Sequence, residues 1–166
     1  MEPYLAIASK RDERAYADAS IPAEVRGRIL DGGRLSGSSK NRQRWEFVVV
    51  SGSEKARLAD AVYAPENVAS AALVVAIVGE AGSLDTGRCA QNMMLAAWGD
   101  GVVSCPNGMP DAAKAAQVLD LDGNLEPVIV LTFGYPRRPL DTESKSAEEW
   151  SREANRKPLE EVVRRV

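Results

Sequence analysis

The chain has 166 residues, 45% of them hydrophobic and 27% charged, with a net charge of −3 and no histidine. That length suits one domain with its own core, and the negative balance argues against general nucleic-acid binding. The missing histidine excludes Ser-His-Asp and Cys-His catalysis and histidine-ligated zinc. The two cysteines, Cys89 and Cys105, form neither a CxxC pair nor a disulfide framework. They are too few for an all-cysteine zinc site, so no metal is expected. No apolar run reaches the roughly 20 residues of a membrane span, and Met1-Glu2-Pro3-Tyr4 lacks the basic start of a secretory signal. The expectation is a reduced, cytoplasmic protein.

In chain order, Lys10-Arg11-Asp12-Glu13-Arg14 places three cations within five residues, ahead of a helix. Ile21-Pro22-Ala23-Glu24 reads as the helix start, with proline near the first turn and an acid where the dipole favours it. Val25, Ile29 and Leu30 supply an apolar stripe, and Gly32-Gly33 is read as the helix end. Residues 34–44 are small and polar. The run 45–50 is a strand rich in valine and aromatics, and a short helix is expected from 54 to about 62. Within the apolar run 71–78, residues 73–78 form a buried strand. Asp85 is read as the N-cap of a helix with Cys89, Met93, Ala96 and Ala97 on one face. Residues 102–105 make a short strand entering a Pro106-Asn107-Gly108 turn, 112–119 a helix, and 127–133 a third strand. From 137 to 166, eight Lys or Arg stand against seven Asp or Glu. That stretch reads as a solvated helix or an arm over another surface. The whole is one domain over 1–166, α+β or α/β with one central sheet.

Three segments carry more polar chemistry than packing needs. The cations of 10–14 suit an anion such as a phosphate, or simply form a solvated charged stretch. The small residues of 36–43 suit the polar edge of a heterocycle, or an ordinary surface turn. Cys105-Pro106-Asn107-Gly108 lets backbone approach a flat ligand, or merely connects. Cys105, with no histidine or clear activating partner, is read as a buried structural thiol. Gly79-Glu80-Ala81-Gly82 lacks dinucleotide-fingerprint spacing. Trp98 reads as core or interface. Asp120-Leu121-Asp122-Gly123 is a turn, too short for a calcium loop.

Together these segments resemble the nitroreductase family of FMN-dependent oxidoreductases. The family opening, R-R-S/D-x-R-x-F/Y, is matched by Lys10-Arg11-Asp12-Glu13-Arg14-Ala15-Tyr16. P-S-x-x-N-x-Q-P-W-x-F is matched by Gly37-Ser38-Ser39-Lys40-Asn41-Arg42-Gln43-Arg44-Trp45-Glu46-Phe47. D-x-G-x-A-x-Q-N-L-x-L-A-A resembles Asp85-Thr86-Gly87-Arg88-Cys89-Ala90-Gln91-Asn92-Met93-Met94-Leu95-Ala96-Ala97. L-G-Y-P and R-x-P-L-E-E-V-V are approached by Phe133-Gly134-Tyr135-Pro136 and by Arg156-Lys157-Pro158-Leu159-Glu160-Glu161-Val162-Val163.

The resemblance implies an α+β fold, a central mixed or antiparallel sheet flanked by helices, and a homodimer whose C-terminal arm (137–166) contacts the partner. It implies FMN as cofactor and NAD(P)H as co-substrate. Lys10, Arg11 and Asp12 would sit near the phosphate and ribityl chain, with Arg156 and Lys157 closing a phosphate clamp from the tail. Arg14 would face the pyrimidine edge, where a cation favours the reduced anionic flavin. Gly37, Ser38, Ser39, Asn41 and Gln43 belong to the loop that would complete the pocket from the second subunit. Backbone around Asn107 and Gly108 would approach flavin N5, which carries the chemistry, so no catalytic side chain is implied. The expected activity is reduction of nitroaromatic, quinone or similar small acceptors by ping-pong hydride transfer. The alternatives are a non-catalytic flavin-sequestering protein and a specialised flavin enzyme of the same fold. Gly37 and Arg44 replace two family prolines. The short linkers 63–70 and 80–84 leave no room for the helical lid that many members carry.

Overall fold

The computed structural model describes every residue of 1–166 except Ala81, Asp122 and Asn124. Parts of the Gly79–Gly82 stretch and of the expected turn at Asp120–Gly123 therefore lie outside the described residues. The elements run α1 (Pro3–Ser9), α2 (Ala23–Arg34), β1 (Trp45–Val50), α3 (Gly52–Ala59), α4 (Pro65–Ser70), β2 (Leu73–Gly79), α5 (Leu84–Gly99), β3 (Val103–Asn107), α6 (Ala112–Val118), β4 (Glu126–Gly134), α7 (Ala147–Glu153) and α8 (Leu159–Val162). The strands form one sheet in the order β1-β2-β4-β3, every pair antiparallel. The fold is α+β, as the sequence implied.

Strand alternation splits the core in two. Leu73, Val75 and Ile77 of β2 join Ile29, Met93, Leu131 and Phe133 beneath α2 and α5. Val74, Ala76 and Val78 point the other way, to Leu58, Val68, Ala115 and Val130 beneath α3, α4 and α6. Helices cover both faces, so β2 is buried at every position and its sequence shows an unbroken apolar run. β1 lies at an edge and exposes Glu46 and Val49, one on each face, while Trp45, Phe47 and Val48 are half-buried and Val50 is buried.

Several local expectations are corrected. Gly32-Gly33 does not end α2, which runs on to Arg34. A Cβ at Gly33 would lie 2.3 Å from Met93 Cε and one at Gly32 would lie 3.1 Å from Ala96 Cβ, so the pair lets α2 approach α5. The N-cap of α5 is Ser83, whose Oγ accepts from the Asp85 N–H at 3.2 Å; Asp85 sits in the first turn, favourable to the dipole. Helix α4 lies within the short linker 63–70, started by Pro65 at its first turn. Pro106 and Asn107 extend β3 rather than turning. Residues 10–16 do not lead directly into a helix. They follow α1 as extended chain that bridges Asp12 to Ser104 in parallel and Tyr16 to Pro136, with the Glu13 N–H donating to the Ser104 carbonyl at 3.1 Å. That bridge lays the cationic segment along the free edge of β3. Among the described residues, no helix is long and apolar enough to cross a membrane.

Candidate functional site

Because residues 10–16 run along β3, Arg14 stands beside the end of that strand. An open cleft of about 510 Å³ forms there, lined by Arg14, Ala15, Tyr63, Ala64, Glu66, Asn67, Cys105, Pro106, Asn107 and Gly108. Three residues singled out by sequence, Arg14, Asn107 and Gly108, thus share one pocket. The exposed Arg14 guanidinium lines the cleft with Cys105, and its interaction with that side chain is the main cause raising its pKa above the ordinary arginine value. Its positive charge is therefore permanent at any working pH. Cys105 itself is free and buried, as the sequence reading held.

The floor of the cleft is a buried polar network. Thr132 Oγ1 donates its one proton to the Cys105 carbonyl at 3.1 Å. Its lone pairs therefore accept from the Tyr16 hydroxyl at 2.7 Å and from Asn107 Nδ2 at 3.1 Å. Asn107 Nδ2 also reaches the carbonyls of Cys105 and Val130 at 3.0 and 3.2 Å. Asn107 Oδ1 accepts from Asn67 Nδ2 at 2.9 Å. Burial pushes the Tyr16 phenol well above its usual value, so the donor of this network stays protonated. The network fixes the backbone from Cys105 to Gly108. Gly108 in turn lies against Tyr63: a Cβ there would sit 3.2 Å from Tyr63 Cδ2.

Asn67, 2% exposed on α4, is a cleft residue that the sequence reading missed. A lone asparagine in a polar linker carries no motif; its only signal is the helix start at Pro65 that aims it inward.

The other expected cations are placed differently. Lys10 has a nearly buried side chain that pairs with Asp12 and reaches Met94 Sδ at 3.5 Å. The charge of Asp12 is thereby neutralised within the motif. Arg11 donates to the carbonyls of Ala8, Lys10 and Trp150 at 2.7, 2.9 and 2.8 Å. Its guanidinium carbon stands 5.5 Å from the centre of the Trp150 ring, within cation–π range. Arg11 is the staple that fastens α7 to the body of the fold. Arg156 and Lys157 follow α7 by a few residues and are exposed, so the staple fixes where the tail cations begin.

The loop 36–44 is not brought to the cleft. It precedes β1, at the opposite edge of the sheet from β3. With strands spaced 4.7–4.9 Å, the two edges are roughly 14 Å apart. The loop is held open by strain and by named contacts. Lys40, Asn41 and Gln43 have φ of 54°, 53° and 50°, left-handed backbone that is uncommon outside glycine. Ser38 Oγ accepts from the Gln43 N–H at 2.9 Å. Buried Ser36 accepts from Asn92 Nδ2 of α5 at 2.8 Å. The Arg88 guanidinium lies against Gly37, where a Cβ would meet Nη2 at 2.7 Å. Arg44 pairs with Glu80. Ser39 and Asn41 begin and end a single 3₁₀ turn and are solvent-facing. Among the described residues, no cluster of acids and thiols could hold a metal ion.

This architecture is shared. A nitroreductase family protein from Clostridium difficile 630 superposes with a TM-score of 0.81 at 24% identity, covering 99% of this chain and 98% of that one. The NADPH:FMN oxidoreductase of Vibrio harveyi, solved in complex with NAD+, superposes at 0.79 with 24% identity, covering 96% and 75%. An FMN-dependent nitroreductase from Clostridium difficile R20291 gives 0.73 at 21% identity, covering 82% and 88%. No curated protein matches the chain. The model of the nitroreductase family matches residues 7–82 and 79–135, spanning the cationic segment, the strained loop, α5 and the cleft. The chain belongs to the nitroreductase family.

Proposed function

We propose that the protein is an FMN-dependent NAD(P)H oxidoreductase acting on small acceptors such as nitroaromatics and quinones, and that it works as a homodimer. The observation that carries the cofactor reading is the cleft at the end of β3. It joins a permanent cation, Arg14, two buried amides, Asn67 and Asn107, and a glycine, Gly108. That set fits the ring end of FMN: a cation for its polar edge, and backbone, held in place by the two buried amides, free to approach its flat face. Bound FMN would supply the redox chemistry, accepting hydride from the nicotinamide and passing electrons to the acceptor. The protein's own tasks are to bind and orient the rings, hold a positive charge at Arg14, and keep the Cys105–Gly108 backbone rigid. None of these needs histidine.

The phosphate end fits less completely within one chain, because Lys10 and Arg11 are engaged internally. Arg156 and Lys157 from the tail are the cations to close it. What supports the homodimer is the position of loop 36–44, across the sheet from the cleft of its own chain. Its serine, asparagine and glutamine groups serve a flavin only from a second copy. The exposed Leu159, Val162 and Val163 of the tail suit an arm laid on that copy.

The test is a visible spectrum of the purified protein with added FMN, followed by NADH or NADPH under anaerobic conditions. Flavin bands that bleach on reduction are expected. Failure to gain those bands sinks the cofactor reading, and a flavin that neither nicotinamide bleaches sinks the reductase reading.

A further inference from the structure

Where β4 ends and β2 begins, a second open cleft of about 520 Å³ lies against the segment 16–20 and the end of α4. It shares no lining residue with the Arg14 cleft. Two cations meet in it. Lys55 of α3 donates to the Ala71 carbonyl, just past α4, at 2.6 Å. Arg137, just past β4, donates through Nε to the Tyr16 carbonyl at 3.0 Å. Each cation is thus fixed by backbone of another segment and keeps further N–H groups to offer. Among the described residues neither makes an ion pair, whereas Lys10, Lys114 and Lys145 each have an acid. Lys55 is half-buried, and that burial holds its pKa below the ordinary lysine value. A partly desolvated ammonium with no acid beside it is completed by an anion from outside. Asp18 is the one acid on the lining and is exposed. Apart from it and Tyr16, the remaining lining is alanine and serine, short side chains that leave the space between the cations open.

We infer that this cleft is a second ligand site, and that it holds a phosphate dianion, free or as a phosphomonoester, between Lys55 and Arg137. Two cations balance a dianion, where a carboxylate would balance only one. The ammonium supplies a point charge, and the guanidinium a planar fork that matches two phosphate oxygens. Ser20, exposed on the lining, adds a hydroxyl donor. A volume of about 520 Å³ falls within the roughly 300–1,000 Å³ of small-molecule sites, so an ester's organic part has room beside its phosphate. Asp18 accepts hydrogen bonds from hydroxyls on that part and repels a second phosphate. Because the two clefts share no lining residue, the anion is held here with or without flavin in the other.

The experiment titrates inorganic phosphate, glycerol 3-phosphate and, as a monoanionic control, acetate into the full chain by isothermal calorimetry. The variants are Lys55→Gln, Lys55→Arg and Arg137→Gln, with Lys114→Gln as a charge control away from the cleft. The parent is expected to bind the phosphate compounds and to give no saturable heat with acetate. K55Q and R137Q are each expected to bind roughly tenfold more weakly, with K55R and K114Q close to the parent. Should R137Q melt early through loss of its bond to Tyr16, K55Q decides alone, since Lys55 lies on a helix surface. Tighter binding of glycerol 3-phosphate than of phosphate identifies an ester as the ligand, and equal affinity identifies phosphate itself. Amide chemical-shift changes on adding phosphate are expected to centre on residues 16–20 and 69–72. Changes centred on Arg14 and Gly108 overturn the assignment. So does a parent that binds neither phosphate compound, or binding that K55Q leaves at the parent's affinity.

Discussion

The cleft at β3 and the loop before β1 are both built from small polar residues, yet they are stabilised in opposite ways. At the cleft, Tyr16, Thr132, Asn107 and Asn67 are buried and satisfy one another through hydrogen bonds of 2.7–3.1 Å. In the loop, Asn41 and Gln43 face solvent, Ser38 is half-buried, and three residues hold left-handed backbone. Each such residue costs on the order of 1–2 kcal/mol. The cleft is therefore finished within one chain, and its geometry is part of the stability of the fold. The loop is strained and solvent-facing, and in the homodimer proposed above it would serve a second copy. On that proposal the first region ties binding to folding, and the second ties binding to assembly.

Asn107→Ala should produce the largest effect. It removes an amide with four partners and leaves Asn67 Nδ2 with the Cys105 sulfur at 3.9 Å as its remaining partner. A loss of about 3 kcal/mol is expected from urea unfolding, with FMN affinity falling alongside. A stable N107A with normal unfolding would break the contrast, because the cleft would then be as separable from the fold as the loop.

Ser38→Ala tests the other side. It removes the acceptor that closes the loop on the Gln43 N–H. About 1 kcal/mol of loop order is lost, appearing as weaker FMN binding, by roughly tenfold at most, rather than as lower global stability. Equilibrium dialysis against FMN, set beside thermal melts of the apoprotein, separates the two. A drop in apoprotein melting temperature matching that of N107A would show that the loop is part of the fold's own support.

The same contrast explains what could be read from the sequence. The buried strands were legible because helices on both faces demand unbroken apolar residues, as in β2. The cationic motif, the loop and the Asn107-Gly108 segment at the end of β3 were legible as polar segments that packing does not need. Their spatial relations were not. The bridge from Asp12 to Ser104, which carries Arg14 to the cleft, is a pairing between distant segments with no local signature. Gly32-Gly33 looked like a helix end because glycine has two uses, and only the neighbouring Met93 and Ala96 reveal the second. Arg11 looked like a phosphate ligand, and its engagement with Trp150 depends on where the tail lands. Asn67 had no partner in sequence to mark it.

Tyr16→Phe is the smallest expected change and the one with a pH signature. The hydroxyl donates into Thr132 Oγ1, so its removal leaves one buried lone pair empty and costs about 1 kcal/mol at neutral pH. Burial raises the Tyr16 pKa in the folded state above the ordinary value of 10.0. Below pH 10 the phenol is protonated in both folded and unfolded chains, and the contribution is fully present. Above pH 10 the unfolded chain releases the proton while the folded chain keeps it. The unfolded state then binds fewer protons, and stability falls with rising pH. The parent should therefore lose stability between pH 10 and 11 faster than Y16F, and the two curves should converge as pH rises. Ser38→Ala should run parallel to the parent throughout, since no titrating group faces its hydroxyl bond. Urea unfolding at pH 8, 10 and 11 checks all three. A gap between parent and Y16F that does not change with pH would mean the phenol is not held in the buried network, and the cleft floor would lose its claim to be more rigid than the loop.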